Sequence, residues 1–129
     1  MQRRGSSKIL IVDDDHDNLY LIALSLSDKY DVTTATSAEA AIELLKAHLF
    51  DLVITDITMP GASGLELCLF ITQNSSNTIV IMMSGLIDDE YKTEAEQNGA
   101  VDYLIKPVSP LELAGSVRRA LEGSDHPSA

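Results

Sequence analysis

Leu52-Val53-Ile54-Thr55-Asp56-Ile57-Thr58-Met59-Pro60 is the stretch whose reading decides the fold. Apolar and β-branched residues run into a single aspartate, and a proline follows shortly after. Leu52 to Ile54, with no polar alternation, read as a strand buried on both faces, as in a parallel sheet. That strand delivers Asp56 to its carboxyl end, and Pro60 closes the regular structure. A lone carboxylate at the top of a buried strand costs free energy unless a cation, hydrogen-bond donors or a proton compensates it. The rest of the chain is read as the source of those groups.

Four further strands flank it. Ile9-Leu10-Ile11-Val12 ends in Asp13-Asp14-Asp15, and Val32 to Ala35 is a less apolar run. Thr78 to Met83 ends at Ser84-Gly85, and Ala100 to Ile105 ends at Lys106-Pro107. Helical spacing separates them. Asn18 to Ser27 places Leu19, Ile22, Ala23 and Leu26 on one face, with Tyr20, Leu21 and Leu24 as an apolar surplus around the other side. Thr36-Ser37-Ala38-Glu39 has capping-box spacing ahead of Ala40, Ala41, Leu44 and Leu45. Ser63-Gly64-Leu65-Glu66 is a second box, opening a helix through Leu67 and Ile71. Asp88 to Asn98 is helical but mostly polar. Only Tyr91 and Ala95 offer it a core, so it should be weakly anchored. Asn98-Gly99 is a helix stop. Ser109-Pro110-Leu111-Glu112 is a third box with proline at the first helical position. Leu111, Ala114, Val117 and Leu121 are the expected buried stripe of the last helix, and Gly123 its end.

Five strands alternating with five helices through short loops imply parallel strands and right-handed crossovers. Five units are too few for a closed eight-fold barrel. The expected fold is therefore α/β: a doubly wound (βα)5, flavodoxin-like three-layer sandwich with strand order 2-1-3-4-5. The expected organisation is a flexible arm over residues 1–7, one domain over 8–123 and a tail over 124–129.

The chain has 129 residues, 45% of them hydrophobic and 22% charged, which suits one folded domain with one core. Its formal net charge of -11 argues against nucleic acid as a partner and fits a divalent cation or a basic partner. The single cysteine, Cys68, excludes an internal disulfide and reads as a buried helix residue. No apolar stretch is long enough to span a bilayer, and Met1 to Lys8 leads into a strand rather than a signal-peptide core. A soluble, cytoplasmic domain is expected.

In an open parallel sheet, sites form at the carboxyl ends of the strands, at the switch point. For order 2-1-3-4-5 that point lies between strands one and three. Asp13 and Asp14 therefore meet Asp56 across one crevice, and the neighbouring strands add Ser84 and Lys106. Three converging carboxylates repel one another, and a hard divalent cation relieves this, with magnesium favoured by an all-oxygen site. Lys106 is a point charge suited to phosphoryl oxygens, and Ser84 can donate to them. The set looks like a phosphoryl-transfer site with Asp56 as the nucleophile that forms an acyl phosphate.

These features together resemble the response-regulator receiver domain over roughly Lys8 to Leu121. The resemblance rests on Asp13-Asp14, on Ile54-Thr55-Asp56 with Met59-Pro60 and Gly64 after it, on Ser84-Gly85, and on Tyr103-Leu104-Ile105-Lys106-Pro107. It implies that Asp56 accepts phosphate from a phosphohistidine on a histidine kinase or phosphotransfer protein. It implies Mg2+ (or Mn2+) held directly by Asp14, Asp56 and the Thr58 backbone carbonyl, and by Asp13 through water. Lys106-Pro107 is then expected to be a cis peptide. A switch is implied in which Ser84 moves toward the phosphoryl group and Tyr103 turns inward. The fourth helix, fifth strand and fifth helix would present the result to a downstream protein or output domain. The molecule would be a monomer or a phosphorylation-linked dimer, and a signalling phosphoacceptor rather than an enzyme.

Two rivals follow from the same residues. One is a magnesium-dependent phosphatase or phosphotransferase of haloacid dehalogenase type; it usually needs a second aspartate two residues after the nucleophile, where this chain has Thr58. The other is a receiver-like module that binds without being phosphorylated, which the complete set Asp13, Asp14, Asp56, Ser84 and Lys106 disfavours. Plainer readings exist residue by residue. Asp13 and Asp14 could be an acidic turn before a helix capped by Asp15 or Asp17, Ser84 a turn residue, Lys106 a surface lysine and Tyr103 ordinary packing. His16, His48 and His126 read as solvated, with no histidine pair at metal spacing.

Overall fold

The computed structural model describes residues 6–59, 61, 63–75, 77–85 and 89–125. Pro60, Asp88, His126 and most of the expected arm and tail lie outside them. The elements are β1 (Lys8–Val12), α1 (His16–Leu26), β2 (Asp31–Ala35), α2 (Ala38–Ala47) and β3 (Leu52–Asp56). They continue with α3 (Gly64–Asn74), β4 (Ile79–Ser84), α4 (Asp89–Gln97), β5 (Asp102–Ile105) and α5 (Pro110–Asp125). All pairings are parallel, in the order β2-β1-β3-β4-β5, as expected.

Every residue of β3 is buried, because alternate side chains enter different cores. Leu10, Val12, Val53, Val80 and Met82 pack with α2, α3 and Ala95 of α4. Ile9, Ile11, Leu52, Ile54, Ile81 and Met83 pack with α1 and α5. The sheet is thus the middle of three layers, and its continuous apolar runs follow from having two cores to fill. Cys68 belongs to the first core, and burial pushes its thiol up to about 11.

Several local expectations are corrected. α1 starts at His16, not Asn18, because Asp15 is its N-cap and accepts from the Asp17 and Asn18 N–H groups. α2 is capped by Ser37, not Thr36, so the box with Glu39 does not form. Ser37 is the residue held in extended conformation, and its side chain accepts from the Ala40 N–H. Ala40 itself is exposed, and the buried face of α2 is Ala38 and Ala41. The box of Ser63 and Glu66 forms in full. In α5 the buried face is Leu113, Ser116, Val117 and Leu121, while Leu111 is 85% exposed and Ala114 is exposed. Ser116 is buried there because its hydroxyl donates to Asp102 Oδ2. α5 also continues through Gly123 to Asp125. β5 starts at Asp102 rather than Ala100.

α4 buries Ala95 alone, and Tyr91 is exposed rather than core. Its weak apolar anchoring is as expected, but its carboxyl end is tied to α3. Asn98 Nδ2 donates to the Leu65 carbonyl at 3.2 Å. The Asn98 carbonyl accepts from Thr72 Oγ1 at 3.1 Å and Cys68 Sγ at 3.3 Å. Gly99 follows at φ +108°, where a Cβ would lie 2.3 Å from Thr72 Cγ2. Both the backbone and the space at this turn demand glycine. Gly99→Ala should destabilise the fold by about 2 kcal/mol and speed hydrogen exchange in α4. An unchanged urea midpoint would contradict that close approach.

Candidate functional site

Three strand ends build the site. β1 leads into Asp13, whose N–H donates to the Ala35 carbonyl at 3.1 Å and so extends the ladder one residue beyond the strand. β3 ends on Asp56, and the Ile57 N–H continues to the Met83 carbonyl at 3.0 Å. β5 leads into Lys106, whose N–H donates to the Ser84 carbonyl at 2.8 Å. Parallel register thus carries these residues to one edge of the sheet, although 43 and 50 positions separate them in sequence (13 to 56, and 56 to 106). The Lys106-Pro107 peptide is cis, as expected.

Gly64, the first residue of α3, fits against the back of this edge. Its N–H donates to the Ile57 carbonyl at 2.9 Å, and a Cβ here would lie 2.0 Å from the Asp56 carbonyl oxygen. No side chain fits between α3 and the strand end that carries Asp56.

The carboxylate oxygens of Asp13, Asp14 and Asp56 lie within 4.8 Å of one another. Asp13 is fully buried and Asp56 nearly so, whereas Asp14 is exposed. Lys106 Nζ lies 2.9 Å from Asp13 Oδ2 and 2.9 Å from Asp56 Oδ2, one ammonium shared by two carboxylates. The Thr58 N–H donates to Asp56 Oδ1 at 3.2 Å. Asp13 Oδ1 accepts from the Asp15 N–H at 3.0 Å, and Asp13 Oδ2 from Asn18 Nδ2 at 2.6 Å. Ser84 is buried at the end of β4, and Tyr103 is half-buried on β5, packed against the α2–α3 side of the sheet.

Electrostatics at this edge are unbalanced. Burial, aided by the charge of Asp13, raises the Asp56 carboxyl above its ordinary value despite the Lys106 ammonium and the Thr58 N–H. Burial also works against the Lys106 charge, yet Asp13 and Asp56 together raise its pKa above the ordinary value. Three carboxylates against one ammonium leave two formal negative charges, and the donor set is all oxygen. That is the chemistry a hard divalent cation satisfies.

The sequence reading thus named Asp13, Asp14, Asp56 and Lys106, and the fold brings them together. It missed Asn18, taken only as a helix start. The available signal was its place one turn beyond an acidic pair, where a side chain can reach back to the strand end. His16 and His48 are exposed and outside the cluster, and His48 stands edge-on to Phe50 instead.

Comparison with known proteins agrees with this geometry. Residues 9–118 match the model of the response regulator receiver domain. The chain belongs to that family. It is 39% identical over 117 residues to the regulatory protein VanR of Enterococcus faecium, covering 90% of this chain and 50% of VanR. Among solved structures, the signal receiver domain of an HD domain-containing protein from Pseudomonas fluorescens Pf-5 matches with TM-score 0.91 and 30% identity, covering 97% of this chain and 93% of that one. The BeF3-activated receiver domain of DrrB, from Thermotoga maritima, matches with TM-score 0.84 and 34% identity, covering 91% and 98%. This chain spans half or less of the length of the first curated relatives it matches. It is a receiver domain of two-component signalling, and the phosphatase reading is set aside. Among the described residues no helix is long and apolar enough to cross a membrane.

Two substitutions in the cluster should act in opposite directions. Lys106→Ala leaves buried Asp13 and Asp56 without their shared cation and should cost about 3 kcal/mol of stability at neutral pH. Asp56→Asn removes a charge the fold opposes and should raise the unfolding temperature by roughly 2–4 °C. An acid whose folded pKa lies above its unfolded one binds protons more readily when folded. The Asp56 penalty is therefore full above its folded pKa and fades as pH falls toward 3.8, so the gain from Asp56→Asn should shrink in acid. Thermal unfolding at neutral and acid pH reads both effects; destabilisation by Asp56→Asn at neutral pH would contradict them.

Proposed function

We propose that Asp56 is the phosphoacceptor of this receiver domain, taking a phosphoryl group from a phosphohistidine on a histidine kinase or phosphotransfer protein. The observation that carries this is the sharing of one ammonium between Asp56 and Asp13, beside an all-oxygen cluster. An Asp56 carboxylate oxygen attacks phosphorus, the bond from phosphorus to the imidazole nitrogen breaks, and its electron pair returns to that nitrogen. The product is an acyl phosphate on Asp56. Lys106 is placed to turn from Asp56 to a phosphoryl oxygen, and Ser84, on the adjacent strand end, is the hydroxyl donor for another.

Asp13, Asp14, Asp56 and the Thr58 backbone carbonyl are the groups that would hold Mg2+ or Mn2+. Such a cation offsets the charge that gathers on the phosphoryl oxygens. The donor chemistry and the two excess negative charges support this set. The exposed Thr58 side chain is a candidate for tuning the lifetime of the phosphoryl group. The similar DrrB receiver domain is described in a BeF3-activated form, which supports phosphoryl-type activation of this domain.

The output surface on this reading is α4, β5 and α5. α4 has one buried residue to give up, so a small input at Ser84 and Tyr103 can shift it. A downstream protein or output domain would read that face, and a phosphorylation-linked dimer could use it. The role is signalling in the cytoplasm, without turnover of a free substrate.

Phosphotransfer from a panel of histidine kinases tests the assignment. The wild-type chain should take label from at least one kinase, and Asp56→Ala should take none. Label retained by Asp56→Ala would sink the assignment of Asp56.

A further inference from the structure

α1 opens with a closed ring of hydrogen bonds around Asp13. The Asp15 N–H donates to Asp13 Oδ1 at 3.0 Å. Asp15 Oδ1 then accepts from the Asp17 and Asn18 N–H groups at 3.0 and 3.3 Å, which caps the helix. Asn18, third in the helix, turns its side chain back, and its Nδ2 donates to Asp13 Oδ2 at 2.6 Å. Lys106 Nζ donates to the same oxygen at 2.9 Å. A carboxylate only accepts hydrogen bonds, so the amide nitrogen of Asn18 is the atom that must face it.

Helix capping does not explain this contact. Asp15 already serves the first N–H groups of α1, and the Asn18 amide adds nothing to them. What the amide does is take up a lone pair of a carboxylate that is fully buried. A carboxylate offers about four lone-pair sites. Asn18 and Lys106 occupy Oδ2, and the Asp15 N–H occupies half of Oδ1. Among the described residues no further donor reaches Oδ1, which leaves one site there for a cation or its water.

We propose that Asn18 is a positioning residue for the phosphoryl-transfer site. Its amide holds Asp13 in the one orientation that presents Oδ2 to Lys106 and the remaining side of Oδ1 to the cation. It also keeps Asp13 compensated when Lys106 turns to a phosphoryl oxygen. Without Asn18, the lysine and one backbone N–H alone orient the carboxylate, which is free to swing toward the ammonium. The inference rests on reading Asp13, Asp14 and Asp56 as a cation site. Partners that orient a ligating carboxylate typically cost about 10- to 100-fold in metal affinity when removed.

The test is the Mn2+ dissociation constant, read from the electron paramagnetic resonance signal of the free ion. Wild type, Asn18→Ala and Asn18→Gln are compared well below their unfolding midpoints. Asn18→Ala should bind Mn2+ about 10-fold or more weakly, and Asn18→Gln, which keeps the donor on a longer arm, should recover part of the loss. Equal affinity in wild type and Asn18→Ala overturns the role of Asn18 and leaves the cation site standing. A folded wild-type chain that binds no Mn2+ overturns both.

Discussion

One ammonium between two carboxylates governs this domain. Lys106 Nζ stands 2.9 Å from Asp13 and 2.9 Å from Asp56, at an edge where both acids are almost wholly removed from water. Neither carboxylate could be held there alone, because an uncompensated buried charge costs several kcal/mol. Yet the lysine cannot satisfy both fully. Asp56 keeps a raised pKa, and the exposed Asp14 adds a further negative charge beside them. The edge is stable enough to fold and short enough of positive charge to want more. On the function proposed above, that shortage is what suits Asp56 to receive a phosphoryl group beside a cation.

The rest of the fold serves that arrangement. Two cores, one on each face, fix the sheet and with it the relative positions of Asp13, Asp56 and Lys106. Gly64 lets α3 close against the Asp56 carbonyl, so the strand end that carries Asp56 is backed by helix rather than solvent. α4 is built differently. It has one buried residue, and hydrogen bonds at Asn98 tie its carboxyl end to α3. An element with so little apolar burial can respond to a small change at the site without disturbing either core.

Much of this was legible in the chain. Unbroken apolar strands followed by Asp56, Asp13 and Lys106 signal a parallel sheet, and the strand order then places those residues together. What was not legible turns on polar side chains with tertiary partners. Ser116 is buried because Asp102 accepts its hydroxyl, so counting apolar residues put the stripe of α5 in the wrong place. Leu111 and Tyr91 are exposed because hydrophobic type alone does not say which way a helix is turned. Asn18 carried only a faint signal for a related reason. Its partner is a carboxylate on the preceding loop, and that contact depends on where Asp15 caps the helix. Ser37 displaced Thr36 as a cap because adjacent residues of equal capping chemistry are separated only by backbone geometry.

The most direct measurement is the titration of the Lys106 ammonium by 15N NMR. Burial alone would lower its pKa, but Asp13 and Asp56 together outweigh burial and raise it above 10.5. The stabilisation Lys106 provides is then fully present below 10.5 and is lost as pH rises through the folded-state pKa. Lys106 should be the last lysine of the domain to lose its proton, and added Mg2+ should lower its pKa by competing for the same carboxylates. Titration of Lys106 at or below the ordinary lysine value, unmoved by Mg2+, would contradict a shared ammonium as the centre of the site.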